Sequence, residues 1–166
     1  MTNLLILGAG GYGQTILELA QASGEYQKIA FLDDRATGPQ VLGRCEEFER
    51  FADEYPHLYP AFGNNELRMR WAQQIVASGY TVPTLVHPTA YVSPTARLGQ
   101  GTAVLPKAVV NAHAVTGANC IINCGAILDH DCTVCEGAHI GLGAILKTGC
   151  RVEPLAKIEA AVVVME

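Results

Sequence analysis

The chain has 166 residues, 49% of them hydrophobic and 16% charged, with 17 Gly and 8 Pro, which marks a folded protein and excludes a disordered or collagen-like one. A net charge of -5 leaves no basic footprint for a phosphate backbone or an anionic lipid surface, so neither nucleic acid nor membrane is expected as a partner. The longest apolar runs, Leu4 to Leu7 and Ala161 to Met165, fall far short of the roughly 20 residues that span a bilayer. Met1-Thr2-Asn3 lacks the basic start of a signal peptide, and the expected location is cytoplasmic. Six cysteines then read as thiols rather than disulfides. Cys132-Thr133-Val134-Cys135 has no second ligand pair to complete a zinc site, and no metal is expected.

The first half alternates short apolar runs with amphipathic stretches, the order that builds a parallel sheet. Asn3–Leu7 reads as a buried strand, Gly8–Gly13 as a tight loop, and Gln14–Ala22 as a helix closed by Ser23-Gly24. Lys28–Leu32 is a second strand ending at Asp33-Asp34. Glu46–Tyr55 suggests a helix and Leu58–Phe62 a strand. Glu66–Ser78 suggests a helix with a Leu67, Trp71, Ile75 stripe, and Tyr80–Leu85 a fourth strand. Residues 1–85 are therefore expected to form a small Rossmann-like α/β domain, half the size of a full dinucleotide-binding fold.

After residue 85 a period of six replaces the helical pattern. Every sixth residue from Val86 to Val164 is aliphatic except Thr116, fourteen positions in all, and the twelve positions from Ala90 to Ala156 in the same period are all Ala, Thr or Cys. Such a repeat describes a coil of three flat faces, one hexapeptide each, with the aliphatic side chain inside and the small one fitting where the chain turns. Residues eighteen apart then stack at about 4.8 Å, the spacing of hydrogen-bonded strands. Ala114, Cys132 and Cys150 share one column, so these thiols read as small core residues. Residues 86–166 are thus expected to form a left-handed parallel β-helix, whose flat faces favour a cyclic homotrimer.

The loop Gly8-x-Gly10-x-x-Gly13, between a strand and a helix, permits a tight turn, close backbone approach to phosphate, and a helix start aimed at negative charge. Asp33 lies twenty residues further on, where a carboxylate can meet ribose hydroxyls. Alone this motif fits NAD, but the second half of a dinucleotide fold is missing. His130, flanked by Asp129 and Asp131, falls near a corner of the coil, and its ring is expected outside the prism. A carboxylate beside an imidazole fixes its tautomer and raises its basicity, which suits a general base. His113, His130 and His139 are 17 and 9 residues apart, too far out of phase to converge on a metal.

The stretches Leu7-Gly8-Ala9-Gly10-Gly11-Tyr12-Gly13, Phe31-Leu32-Asp33-Asp34, Phe62-Gly63-Asn64-Asn65, His87-Pro88-Thr89-Ala90 and Ile122 to Cys132 together resemble the bacterial sugar-nucleotide acetyltransferases. These include N-acetyltransferases of UDP- or dTDP-linked 4-amino sugars and relatives regarded as sialic acid O-acetyltransferases. The resemblance implies acetyl transfer from acetyl-CoA to a nucleotide-linked amino sugar, with His130 as base and Asp131 orienting it. It implies substrate contacts from Gly10, Gly11, Tyr12, Asp33, Asp34, Asn64 and Asn123, and contacts to the acetyl-CoA donor from His139 and Gly143. His113 and Asn111 receive no role. Tyr12 stands where relatives usually carry a histidine, and relatives usually continue for further coils. An O-acetyltransferase, a non-catalytic nucleotide-binding trimeric scaffold and a dinucleotide-dependent oxidoreductase remain as alternatives at this stage.

Overall fold

A computed structural model of the chain describes residues 1–165. It divides into two compact units, Met1–Pro83 and Thr84–Glu166.

In the first unit, β1 (Thr2–Leu7), β2 (Tyr26–Leu32), β3 (Val41–Gly43) and β4 (His57–Pro60) form a parallel sheet in the order β3-β2-β1-β4. Leu4 to Leu7 of central β1 are fully buried, which explains a continuous apolar run instead of an alternating one. Helix α1 (Gly11–Ser23) closes at Gly24, a left-handed cap with φ 69°. It begins three residues before the expected Gln14, because Gly11 to Gly13 enter the first turn instead of extending the loop. The stretch from Glu46 is not an α-helix but a 3₁₀-helix over Cys45–Phe51. Helix α2 (Asn65–Ala77) buries Arg68, Ala72 and Ile75, so the expected stripe is rotated and Leu67 and Trp71 are only half-buried.

Tyr80–Leu85 does not form a single strand. Thr81 makes one isolated parallel bridge to His57, Pro83 has no N–H to continue a ladder, and Leu85–Val86 pairs with Ala103–Val104 in the second unit. Leu85 therefore belongs to the coil, and the division falls two residues before the expected 85/86 boundary. The short edge strand β3 escaped the sequence reading because three residues carry no periodic signal.

The second unit is a parallel coil of thirteen two-residue strands in three sheets of five, five and three strands, with an isolated Arg97 to Val115 bridge extending the third. Partners lie eighteen residues apart throughout: Ile121 pairs with Ala103 and His139, Leu128 with Val110 and Leu146, Val134 with Thr116 and Val152. The aliphatic and small columns fill the interior, and from Val104 to Cys150 they are almost wholly buried. Thr116 keeps its place because its buried hydroxyl accepts the Gly99 N–H at 3.1 Å, and a satisfied hydroxyl is tolerated inside.

A second periodicity appears only in the backbone. Residues 101, 107, 113, 119, 125, 131, 137, 143, 149, 155 and 161 all have φ between 55° and 74°. Five are glycine; the others, including Asp131, Leu155 and Ala161, are L-residues in a conformation that costs them roughly 1–2 kcal/mol. From residue 119 onward, each of these corner residues donates its N–H to a carbonyl nineteen positions earlier, as Gly149 does to His130 at 3.1 Å. Ala161 is exposed with φ 58°. Ala161→Gly keeps that hydrogen bond and relieves the strain, and is expected to raise unfolding stability by roughly 0.5–1 kcal/mol, measurable by denaturant titration.

Candidate active site

The loops at the carboxyl ends of β1, β2 and β4 carry the glycine motif, Asp33-Asp34 and Phe62 to Asn64. In open parallel sheets this is where ligands bind. Gly8 has φ 94°, and a Cβ there would lie 3.1 Å from the Ala61 carbonyl oxygen; a Cβ on Gly13 would lie 1.9 Å from the Gly8 oxygen. Gly13 lets α1 press against the end of β1, and Gly8 admits the turn that follows β4. Gly10 and Gly11 face open space, and the first turn of α1 has neither an acidic residue nor a side-chain cap. Its N–H groups and positive dipole end are left to an anion. An open cavity of about 230 Å³ adjoins this loop, lined partly by Ala9, Gln14 and Phe31, and a second of about 310 Å³ is lined partly by Asp33, Asp34 and Arg44.

The structure gives several of the expected substrate contacts intramolecular partners. Asp33 Oδ2 accepts the Ala9 N–H at 2.8 Å, and Oδ1 accepts those of Arg35 and Ala36 at 2.8 and 2.7 Å. Partial burial pushes its pKa up, but these three N–H groups and the Arg35 charge outweigh it and hold the carboxylate below the usual range. Asp33 thus ties the glycine loop to the end of β2. Asp34 Oδ1 accepts the Cys45 N–H at 3.1 Å. Asn64 caps α2 by accepting the Leu67 N–H at 2.8 Å. Tyr12 directs its hydroxyl to that of the fully buried Tyr59, 3.1 Å away, and burial, then Tyr59, push its pKa well up.

Arg68 was not anticipated. It is fully buried and donates to the Phe62 carbonyl at 3.0 Å and to Asn65 Oδ1 at 2.9 Å. It thereby fixes the turn whose Phe62 ring packs on Gly8. An arginine beside Leu67 within an apolar pattern was the available signal.

On the coil, the corner after Ile127–Leu128 carries His130 with half its side chain, 49%, exposed. Its Nδ1 lies 2.6 Å from Asp131 Oδ2. The carboxylate can only accept, so Nδ1 carries the proton and neutral His130 offers its Nε2 lone pair. The bond to Asp131 is the main cause that raises the His130 pKa above 6.5, opposed by desolvation and assisted by the charges of Asp129 and Asp131. Asp129 accepts from the His130 N–H at 2.8 Å, from Thr148 Oγ1 at 2.7 Å and from Asn111 Nδ2 at 3.4 Å. Thr148 Oγ1 also lies 3.3 Å from His130 Nε2. Asn111, given no role, and Thr148, not considered, stand one turn before Asp129 and one turn after His130. The eighteen-residue register would have found both.

Asn123 and His139 form a second cluster, on columns other than that of His130. Asn123 Oδ1 accepts the Cys124 N–H at 2.8 Å, which orients its NH₂ toward His139 Nε2 at 3.0 Å. That nitrogen is then an acceptor, and the ring proton sits on Nδ1. Gly143 is an exposed corner with φ 62° and open space where a Cβ would be. His113 is an exposed corner residue. Among the described residues no group of three or more His, Cys, Asp or Glu side chains could hold a metal. Five of six cysteines are buried, all are free, and burial pushes the Cys132 thiol up and that of Cys45 up to about 12. Such thiols are poor nucleophiles.

Residues 3–75 match the family model described as the PglD N-terminal domain. The acetyltransferase domain of PglB from Neisseria gonorrhoeae FA1090, solved with acetyl coenzyme A, superposes with TM-score 0.85 at 36% identity, covering 97% of this chain and 86% of that one. The chain belongs to the sugar-nucleotide acetyltransferase family. Like its structural relatives, this family member joins a Rossmann-like domain to a left-handed hexapeptide β-helix. A perosamine N-acetyltransferase of Caulobacter crescentus with one histidine replaced by asparagine, in complex with CoA and GDP-perosamine, gives TM-score 0.81 at 26% identity, over 99% of this chain and 89% of that one. UDP-N-acetylbacillosamine N-acetyltransferase of Bacillus subtilis (strain 168) is 34% identical over 115 residues, 63% of this chain and 52% of that protein. The chain thus spans about half the length of this curated relative.

The His130 to Asp131 pair has a direct signature. His130 is expected to titrate above 6.5, and Asp131→Asn to bring it down toward that value, because the charged hydrogen bond that chiefly raises it is removed. NMR titration of the ring carbons measures both. An unchanged titration in the variant contradicts the pairing.

Proposed function

We propose that this protein transfers the acetyl group of acetyl-CoA to the amino group of a nucleotide-linked amino sugar, with His130 as general base. The observation that carries the proposal is an exposed imidazole with Nδ1 held 2.6 Å from a carboxylate, which leaves the opposite nitrogen free to take a proton from an amine. The amine attacks the thioester carbonyl and forms the C–N bond. His130 Nε2 takes the amine proton, the C–S bond breaks, and the coenzyme A thiolate receives the proton. The buried thiols, with burial raising the pKa of Cys132 and Cys45, favour this direct transfer over a covalent acyl-enzyme.

The nucleotide diphosphate belongs at the glycine loop, where Gly10 and Gly11 admit close approach and the open start of α1 attracts negative charge. Asp33 then contributes by shaping that loop, with Asp34 beside it on the cavity wall. Asn64 serves through the turn that it caps. Tyr12 acts from beneath the loop through Tyr59. Asn123 is assigned to the sugar acceptor, and His139 and Gly143 to the donor end. His130 and the Asn123 to His139 pair lie on different columns of one coil, which favours a cleft built by two copies and hence a homotrimer. A cytoplasmic location is part of the same proposal.

The reading is tested by incubating the protein with acetyl-CoA and UDP-, dTDP- or GDP-linked amino sugars and following free thiol release. Turnover is expected with at least one amino sugar and not with the corresponding hydroxyl sugar. His130→Ala is expected to lower kcat by about 10²- to 10⁴-fold. Because His130 must be deprotonated and its pKa is raised, kcat/KM should climb with pH through an acidic limb whose midpoint lies above 6.5. Absence of thiol release with every acceptor refutes the proposal, and release with hydroxyl acceptors alone replaces it with O-acetyl transfer.

A further inference from the structure

His130 has two nitrogen atoms, and Asp131 accounts for only one. On the other side stands Thr148, eighteen residues on, brought over His130 by the coil register. A hydroxyl has one proton to give. Thr148 Oγ1 is 2.7 Å from Asp129 Oδ2; an ionised carboxylate can only accept, so the Thr148 proton points at Asp129. Asp129 is itself fixed by the His130 N–H at 2.8 Å and by Asn111 Nδ2 at 3.4 Å. What Thr148 turns toward His130 Nε2, at 3.3 Å, is therefore a lone pair.

This arrangement distinguishes the two states of the ring. In neutral His130 the Nε2 lone pair faces the Thr148 lone pair and no hydrogen bond forms between them, so none has to be broken before Nε2 takes a proton. Once Nε2 holds a proton, that N–H has an acceptor already in place. Resting on the acetyl-transfer reading for its catalytic meaning, we propose that Thr148 is a positioning residue whose Asp129-directed hydroxyl receives the Nε2–H of protonated His130. The hydrogen bond exists only after proton transfer, so it contributes to the transition state and not to the ground state. The proton lost by the amine moves to Nε2, is held there by Thr148, and passes to the departing thiolate; Thr148 loses and gains no proton of its own.

Four groups that can carry charge lie in the columns on either side of His130. Asp129 and Asp131 flank it in sequence, His113 stands in the column of Asp131 one turn before, and Lys147 in the column of Asp129 one turn after. Lys147 and His113 are exposed, and salt screens them strongly. The Thr148 contribution is thus separable from theirs by replacing the hydroxyl alone.

The test is the NMR titration of His130 in the full chain with T148V, T148S and D129N variants. T148V, nearly equal in shape but without an acceptor, should lower the His130 pKa by roughly 0.5–1 unit, and T148S should restore it. In D129N the hydroxyl loses its direction, so adding T148V to D129N should lower the pKa less than T148V does alone. An unchanged or raised pKa in T148V overturns the assignment, as does a T148S value equal to that of T148V. T148A provides the same readout if T148V does not fold, as judged by spectral dispersion. The titration needs no substrate, so its failure is distinct from a failure of acetyl transfer. Where turnover is measurable, T148V should lower kcat and move the acidic limb to lower pH with KM little changed.

Discussion

The constraint on which the coil of this protein depends is the left-handed backbone corner that returns every six residues. Eleven successive corners adopt it, and wherever the residue is not glycine the chain accepts a local cost of order 1–2 kcal/mol. The return is a fixed eighteen-residue register with almost no drift across the coil. Parallel ladders repeat on every face, and the interior can be filled with one aliphatic and one small residue per rung. Apart from buried Asn119, the non-glycine corner residues are exposed, so the same geometry that closes the core sets polar side chains out in ordered columns.

Those columns explain why a strong base-orienting site stands on an exposed surface. Exposed ion pairs contribute little to stability because water screens them and long side chains lose entropy. Around His130 the groups are short, and rigid backbone spaces them. Asp131 sits in the left-handed region, which an aspartate tolerates better than most side chains, and that conformation accompanies a carboxylate folded back onto the adjacent ring. Asp129 collects a backbone N–H, a hydroxyl and an amide from three successive turns. The arrangement serves orientation of the imidazole more than stability.

The α/β unit solves a different problem by similar means. Its glycine loop is held from below by the close approach of Gly13 to Gly8 and from the side by Asp33, while buried Arg68 secures the adjoining turn through the Phe62 carbonyl and Asn65. Residues that a motif would assign to a ligand are largely occupied in shaping the loop, and the surface left for an anion is backbone. A carboxylate accepting three backbone N–H groups ties the glycine loop to the turn after β2.

The sequence by itself determined the two-part architecture, the main strands and helices of the α/β unit, the hexapeptide coil with its interior columns, and the placing of His130 beside Asp131 outside the prism. Each of these rests on local or strictly periodic information: apolar runs, glycine spacing, a six-residue repeat and adjacency in the chain. It misjudged Tyr80–Leu85, because Pro83 splits a stretch whose composition looks continuous and Leu85 pairs forward into the coil. It also turned the α2 stripe by one residue, since Arg68 is stabilised inside by hydrogen bonds that apolar patterning does not register. Only tertiary structure decided that Asp33, Asn64 and Tyr12 have partners within the chain, that Asn123 meets His139, and that Asn111 and Thr148 converge on Asp129. Those contacts join residues far apart in sequence, and whether a polar group faces solvent, ligand or another side chain depends on what folding leaves beside it.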